Sequence, residues 1–80
     1  MQLRIIEYSG QLYIVVGITN LRDKVHNIQE NWECFEASPL QEGQTIWEAV
    51  LSNETVLIKI EDAKEITERN RLESILILYG

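Results

Sequence analysis

The residue types that most often carry chemistry are scarce in this chain. His26 and Cys34 are the only members of their kinds and have seven residues between them, with no CxxC or HxxxH pattern around them. A zinc or iron-sulfur site needs several such ligands at workable spacing, so neither metal nor cofactor is expected. Nucleophilic catalysis by Cys34 would require His26 beside it and a third group to orient the base. Cys34 lies instead in an apolar strand-like stretch, the usual place of a small buried thiol. The carboxylates Glu61, Asp62 and Glu65 cluster in sequence, but acids there suit the start of a helix, where they complement its dipole. Gly10, Gly17, Gly43 and Gly80 are scattered, which leaves no glycine-rich loop to cradle a phosphate. The chain is therefore read as a non-enzyme.

A different pattern stands out in the middle of the chain. Between Val25 and Ile58 there is no Lys or Arg, while Glu30, Glu33, Glu36, Glu42, Glu48 and Glu54 all fall there. The remaining seven acids and seven bases balance, so this stretch carries the whole net charge of -6. Such a region repels phosphate backbones and attracts cations over about 8 Å in physiological salt, which argues against direct nucleic-acid binding. Three aromatic residues lie among these acids: Trp32 and Phe35 beside Glu33 and Glu36, and Trp47 beside Glu48. Trp32 and Phe35 have opposite parity along one strand, so one of them points outward unless the strand is bulged or buried on both faces. Trp32, Glu33, Phe35, Glu36, Trp47 and Glu48 form the candidate binding surface, suited to a protein partner with a basic face. Trp47, in phase with Ala49 and Leu51, is assigned to the core.

The elements that hold these residues read mainly as β-strands. Gln2 to Tyr8 and Leu12 to Ile18, joined by Ser9-Gly10, predict a hairpin. On its second strand Leu12, Ile14, Val16 and Ile18 are placed inward and Tyr13 and Val15 outward. Asn20 to Glu30 reads as a loop, with a short helix capped by Asn20 as the competing reading. Trp32 to Ala37 is a third strand, ended by Ser38-Pro39. Thr45 to Leu51 and Thr55 to Ile60 are a fourth and fifth, paired through a turn at Ser52-Asn53-Glu54. From Asp62 onward the recurrence of Leu72, Ile75, Leu76 and Tyr79 favours a helix capped by Asp62, although the apolar run from Ile75 also suits a strand paired with the first. The sum is a small, five-stranded, bent antiparallel sheet or half-open barrel, Src-homology-3-like, with a C-terminal helix or extra strand. On these assignments Ile6, Tyr8, Tyr13, Val15 and Leu57 lie outside, and the C-terminal segment or a second subunit must cover them.

Eighty residues make a single domain, spanning 1–80, and one of marginal stability as a monomer. One cysteine fits a reducing, cytoplasmic compartment, and no segment approaches the roughly 20 apolar residues of a membrane span. The functional expectation is a protein-interaction module: an adaptor, accessory subunit or inhibitor. Two alternatives stand beside it, a small enzyme or ligand-binding protein with its site at a homo-oligomer interface, and an acidic decoy of a nucleic-acid-binding protein.

Overall fold

The structure, a computed structural model, describes residues 3–22 and 31–80. Its strands are β1 (Ile5–Tyr8), β2 (Gln11–Arg22), β3 (Asn31–Pro39), β4 (Val56–Lys59) and β5 (Lys64–Glu65), and its helices are α1 (Ile46–Leu51) and α2 (Arg69–Tyr79). All pairings are antiparallel, in the order β4-β3-β2-β1-β5. The result is one bent, unclosed sheet with a C-terminal helix.

The β1–β2 hairpin forms as its residues dictate. Ser9 and Gly10 both take positive φ, 52° and 78°, the two-residue turn whose twist matches that of the flanking strands. Pairing then runs from Tyr8 opposite Gln11 to Ile5 opposite Ile14. Further along β2 the register with β3 shifts between Val15 and Gly17, leaving Val16 unpaired. A bulge of one residue exchanges the two faces beyond it, so a single inward set cannot run the length of the strand. Ile14 is buried accordingly, whereas Val16 and Ile18 are exposed, against the inward placement expected for all three. β2 also continues through Asn20 to Arg22, which pair with Glu33 to Asn31. The loop or helix expected at Asn20 to Glu30 is thus strand at its start, and residues 23–30, with His26 and Glu30, lie outside the described residues.

The segment from Thr45 corrects the sequence reading most sharply: it is a helix, not a fourth strand. Thr45 Oγ1 accepts a hydrogen bond from the backbone N–H of Glu48 at 3.1 Å and donates to the Glu48 carboxylate at 3.3 Å. Threonine at the N-cap with glutamate three residues later is a capping signature, and it outweighs the β-propensity of Ile46 and Val50. Ser52 closes the helix on the Ala49 carbonyl, and Asn53 follows with φ 61°, the left-handed turn that ends many helices. The expected hairpin between this segment and Thr55 to Ile60 therefore does not exist, and among the described residues β4 pairs only with β3.

The fifth strand comes from residues read as the start of a helix. Lys64 and Glu65 pair with Glu7 and Ile6 of β1. Asp62 belongs to a 3-10 turn over Ile60–Asp62, and α2 begins later, after Glu68. The run from Ile75 to Tyr79 is helical. Pairing with the first strand does occur, through Lys64 and Glu65 instead.

The link from β4 to β5, residues Ile60 to Ala63, joins the two edges of the sheet. Edges of a flat five-stranded sheet stand about 19 Å apart at the usual strand spacing. Four residues, three of them in a turn that rises only about 2 Å per residue, fall short of that distance. The sheet must curl. Its concave face buries Ile6, Phe35, Ala37 and Ile58, with Tyr13, Val15, Ile60 and Ala63 packed against them. The other face buries Ile5, Ile14 and Leu40 beneath Ile46 and Ala49 of α1 and Ile75 of α2. Ile6, Tyr13 and Val15 are therefore not outside, and the curled sheet rather than α2 covers them. Tyr8 and Leu57 remain exposed.

Two ion pairs tie the C-terminal segment to β1. Arg4 Nε donates to Glu65 Oε1 at 2.6 Å, and this hydrogen bond raises the guanidinium pKa above its ordinary value. Arg71 meets Glu7 at 2.7 Å. Both pairs are partly exposed, so packing supplies more of the attachment than charge. Ile75→Ala is expected to lower unfolding stability by ~2–5 kcal/mol through the cavity it leaves. Ile77→Ala, at a position 84% exposed, should change stability by less than about 0.5 kcal/mol. Urea titrations of the two variants check the contrast.

Candidate functional site

The six candidate binding residues divide among four environments. Phe35 is the inward aromatic, 3% exposed in the concave core, with the Arg4 guanidinium 5.1 Å from its ring centroid. It is closed to a partner. Trp32, of opposite parity on β3, is half-buried and faces away from that core. Glu36 is half-buried beside Gly17, whose missing side chain leaves it room: a Cβ there would sit 3.0 Å from Glu36 Oε2. Trp47 and Glu48 are on α1, and Trp47 is 63% exposed rather than part of the core. The capping helix explains that change, since a 3.6-residue period buries Ile46 and Ala49 and turns Trp47 outward.

Trp32 and Glu33 belong to a recess of about 290 Å³ completed by Lys59, Ile60 and Glu61. The ammonium of Lys59 lies 4.1 Å from the Trp32 ring centroid, a cation held against the negative face of the indole. Register makes this contact: Cys34 pairs with Lys59 across β3 and β4, and Trp32 is two residues along on the same face. Glu33 and Glu61 are exposed on the rim. Cys34 itself is buried, 2% exposed, and its thiol faces the Trp32 carbonyl at 4.0 Å.

Trp47 stands at a second, separate recess of about 470 Å³ between the two helices, lined by Leu3, Val50, Leu76 and Tyr79 among others. Among the described residues no charged side chain lines it, and Gly80, the last residue, forms part of its wall. Glu48 is outside it, engaged with Thr45. Neither recess contains both tryptophans. Among the described residues no group of His, Cys, Asp and Glu is placed to hold a metal ion, and no helix is long and apolar enough to cross a membrane.

Sequence reasoning missed Lys59 and Glu61, which lie just beyond the base-free stretch and reach Trp32 only through strand register. It also missed the helical groove, for which the Thr45 to Glu48 spacing was a usable signal. Comparison with protein-family models, curated proteins and solved structures finds no match to this chain.

The cation contact makes a direct expectation. Lys59→Ala should uncover the Trp32 ring and shift its fluorescence to longer wavelength, at a stability cost of about 0.5–1 kcal/mol. Emission spectra in a Trp47→Phe background, where Trp32 is the remaining tryptophan, check it.

Proposed function

We propose that this protein is a non-enzymatic interaction module, an adaptor, accessory subunit or inhibitor, that recognises a basic side chain on a partner protein at the Trp32 recess. The observation that carries the reading is the Lys59 ammonium 4.1 Å from the Trp32 ring centroid, in a recess that Glu33 and Glu61 also line: the recess already accommodates an ammonium group. A partner Lys or Arg can take the place of Lys59 over the ring while the two exposed carboxylates compensate its charge. The aromatic face supplies affinity, and the acidic rim supplies attraction at a distance. A phosphate-bearing ligand would meet the same rim unfavourably, which supports a protein partner over nucleic acid.

The reading also keeps the Src-homology-3-like description of the sheet, supported by the strand order and by the short 3-10 link between its edges. A cytoplasmic location accords with the single unpaired cysteine.

The test uses a partner recovered by pull-down from the native host and a peptide spanning its basic segment. Glu33→Lys with Glu61→Lys should slow association and reduce its dependence on salt. Trp32→Ala should raise the dissociation rate and cost about 2 kcal/mol of binding or more, the scale of an interface hot spot. Surface plasmon resonance separates the two effects, and binding unaltered by either change would remove the recess from consideration.

A further inference from the structure

The recess at Trp32 opens where β4 leaves β3. Pairing of the two strands ends at Cys34 opposite Lys59, and the chain then turns off through Ile60–Asp62, which brings Glu61 to the same recess as Glu33. At about 290 Å³ the space is at the small end of ligand sites, a size for one side chain. The Lys59 ammonium is 4.1 Å from the Trp32 ring centroid, yet among the described residues it forms no ion pair, whether with Glu33, Glu61 or any other acid. Glu33 and Glu61 are exposed and likewise have no ion-pair partner among the described residues. An ammonium on a stem rooted in β4 thus meets the ring and leaves both carboxylates unmatched.

We infer that the recess selects arginine over lysine in a partner, and that Lys59 is the built-in competitor which the incoming side chain displaces. The inference rests on the reading of this recess as a site for a basic side chain. A lysine ammonium is a compact, strongly hydrated point charge. A second lysine therefore brings to the ring only what Lys59 already supplies, and without the advantage of being attached to β4. A guanidinium is planar and more weakly hydrated, stacks on an indole face, and keeps five N–H donors in its plane. In one pose it covers Trp32 and donates from its edge to Glu33 or Glu61, the pairing that Lys59 does not make. Ile60, also in the lining, gives the methylene stem an apolar surface. The cost of displacing Lys59, which is half-buried, is that of one partly exposed cation-ring contact, offset in part when its ammonium returns to water.

The test follows the Trp32 indole N–H signal of the nitrogen-15-labelled full chain, assigned with the Trp47→Phe variant. The probes are N-acetyl-arginine amide, its lysine counterpart and its citrulline counterpart, which has the shape of arginine without the charge. Arginine is expected to bind with a dissociation constant about fivefold or more below that of lysine, the scale of one exposed ion pair added to ring stacking, and citrulline should not bind. Glu33→Gln with Glu61→Gln should remove most of the difference between arginine and lysine. Lys59→Met, which keeps an apolar stem, should tighten both ligands by the same factor, about twofold to fivefold, and so preserve their ratio. Circular dichroism verifies that these variants keep the fold. Equal dissociation constants for arginine and lysine overturn the inference, as does citrulline binding as tightly as arginine, a preference that survives the glutamine changes, or weaker binding in Lys59→Met. In each of those cases the recess still binds a basic side chain. A Trp32 signal that responds to neither cation removes that underlying reading as well.

Discussion

The two edge strands, β4 and β5, are separated in the chain by the four residues Ile60 to Ala63, and the rest of the molecule is arranged around that short link. Such a link cannot span a flat five-stranded sheet, so the sheet curls and acquires an interior of its own. Adjacent residues of β1 record the outcome. Ile5 and Ile6 point to opposite faces and are 1% and 0% exposed. One face is closed by curvature, with Phe35, Ala37 and Ile58 in the concavity, and the other by α1 and α2. A small chain thereby builds two modest clusters on a single sheet, which leaves the helices covered on their inner sides only.

The same curl redistributes charge. Along the sequence the acids of the middle stretch have no basic neighbour, yet in space each β3 aromatic receives a cation from elsewhere: Phe35 from Arg4 and Trp32 from Lys59. These contacts have different consequences. Arg4 is also held by Glu65, so it fastens β5 and the rim of the concave core. Lys59 lies over Trp32 at a recess that Glu33 and Glu61 also line. Segregation of charge along a chain is thus a poor guide to segregation on the surface when antiparallel pairing brings distant segments side by side.

Much of the architecture was legible because the relevant signals act within a few residues. Ser9-Gly10 between alternating apolar segments specifies the first hairpin, the apolar setting of Cys34 specifies a buried thiol, and the spacing of Leu72, Ile75 and Tyr79 favours the C-terminal helix over a strand. Opposite parity of Trp32 and Phe35 required one of them to leave the core. The α1 helix was legible as well, in Thr45 and Glu48, but the β-branched and apolar run between Ile46 and Leu51 was weighed above the cap. That choice misplaced Trp47.

By itself, then, the sequence determined a mainly β single sheet, its first turn, the burial of its cysteine and the existence of an outward aromatic. The tertiary structure decided which aromatic that is, where β2 changes faces, and which cation lies over Trp32. Turn formation and capping are settled by neighbours along the chain, whereas inside and outside are settled by curvature. Curvature depends on the bulge opposite Glu36 and on the short link between edges acting across all five strands together. No local window of residues contains that information, because the energy that selects it is the burial of both faces at once.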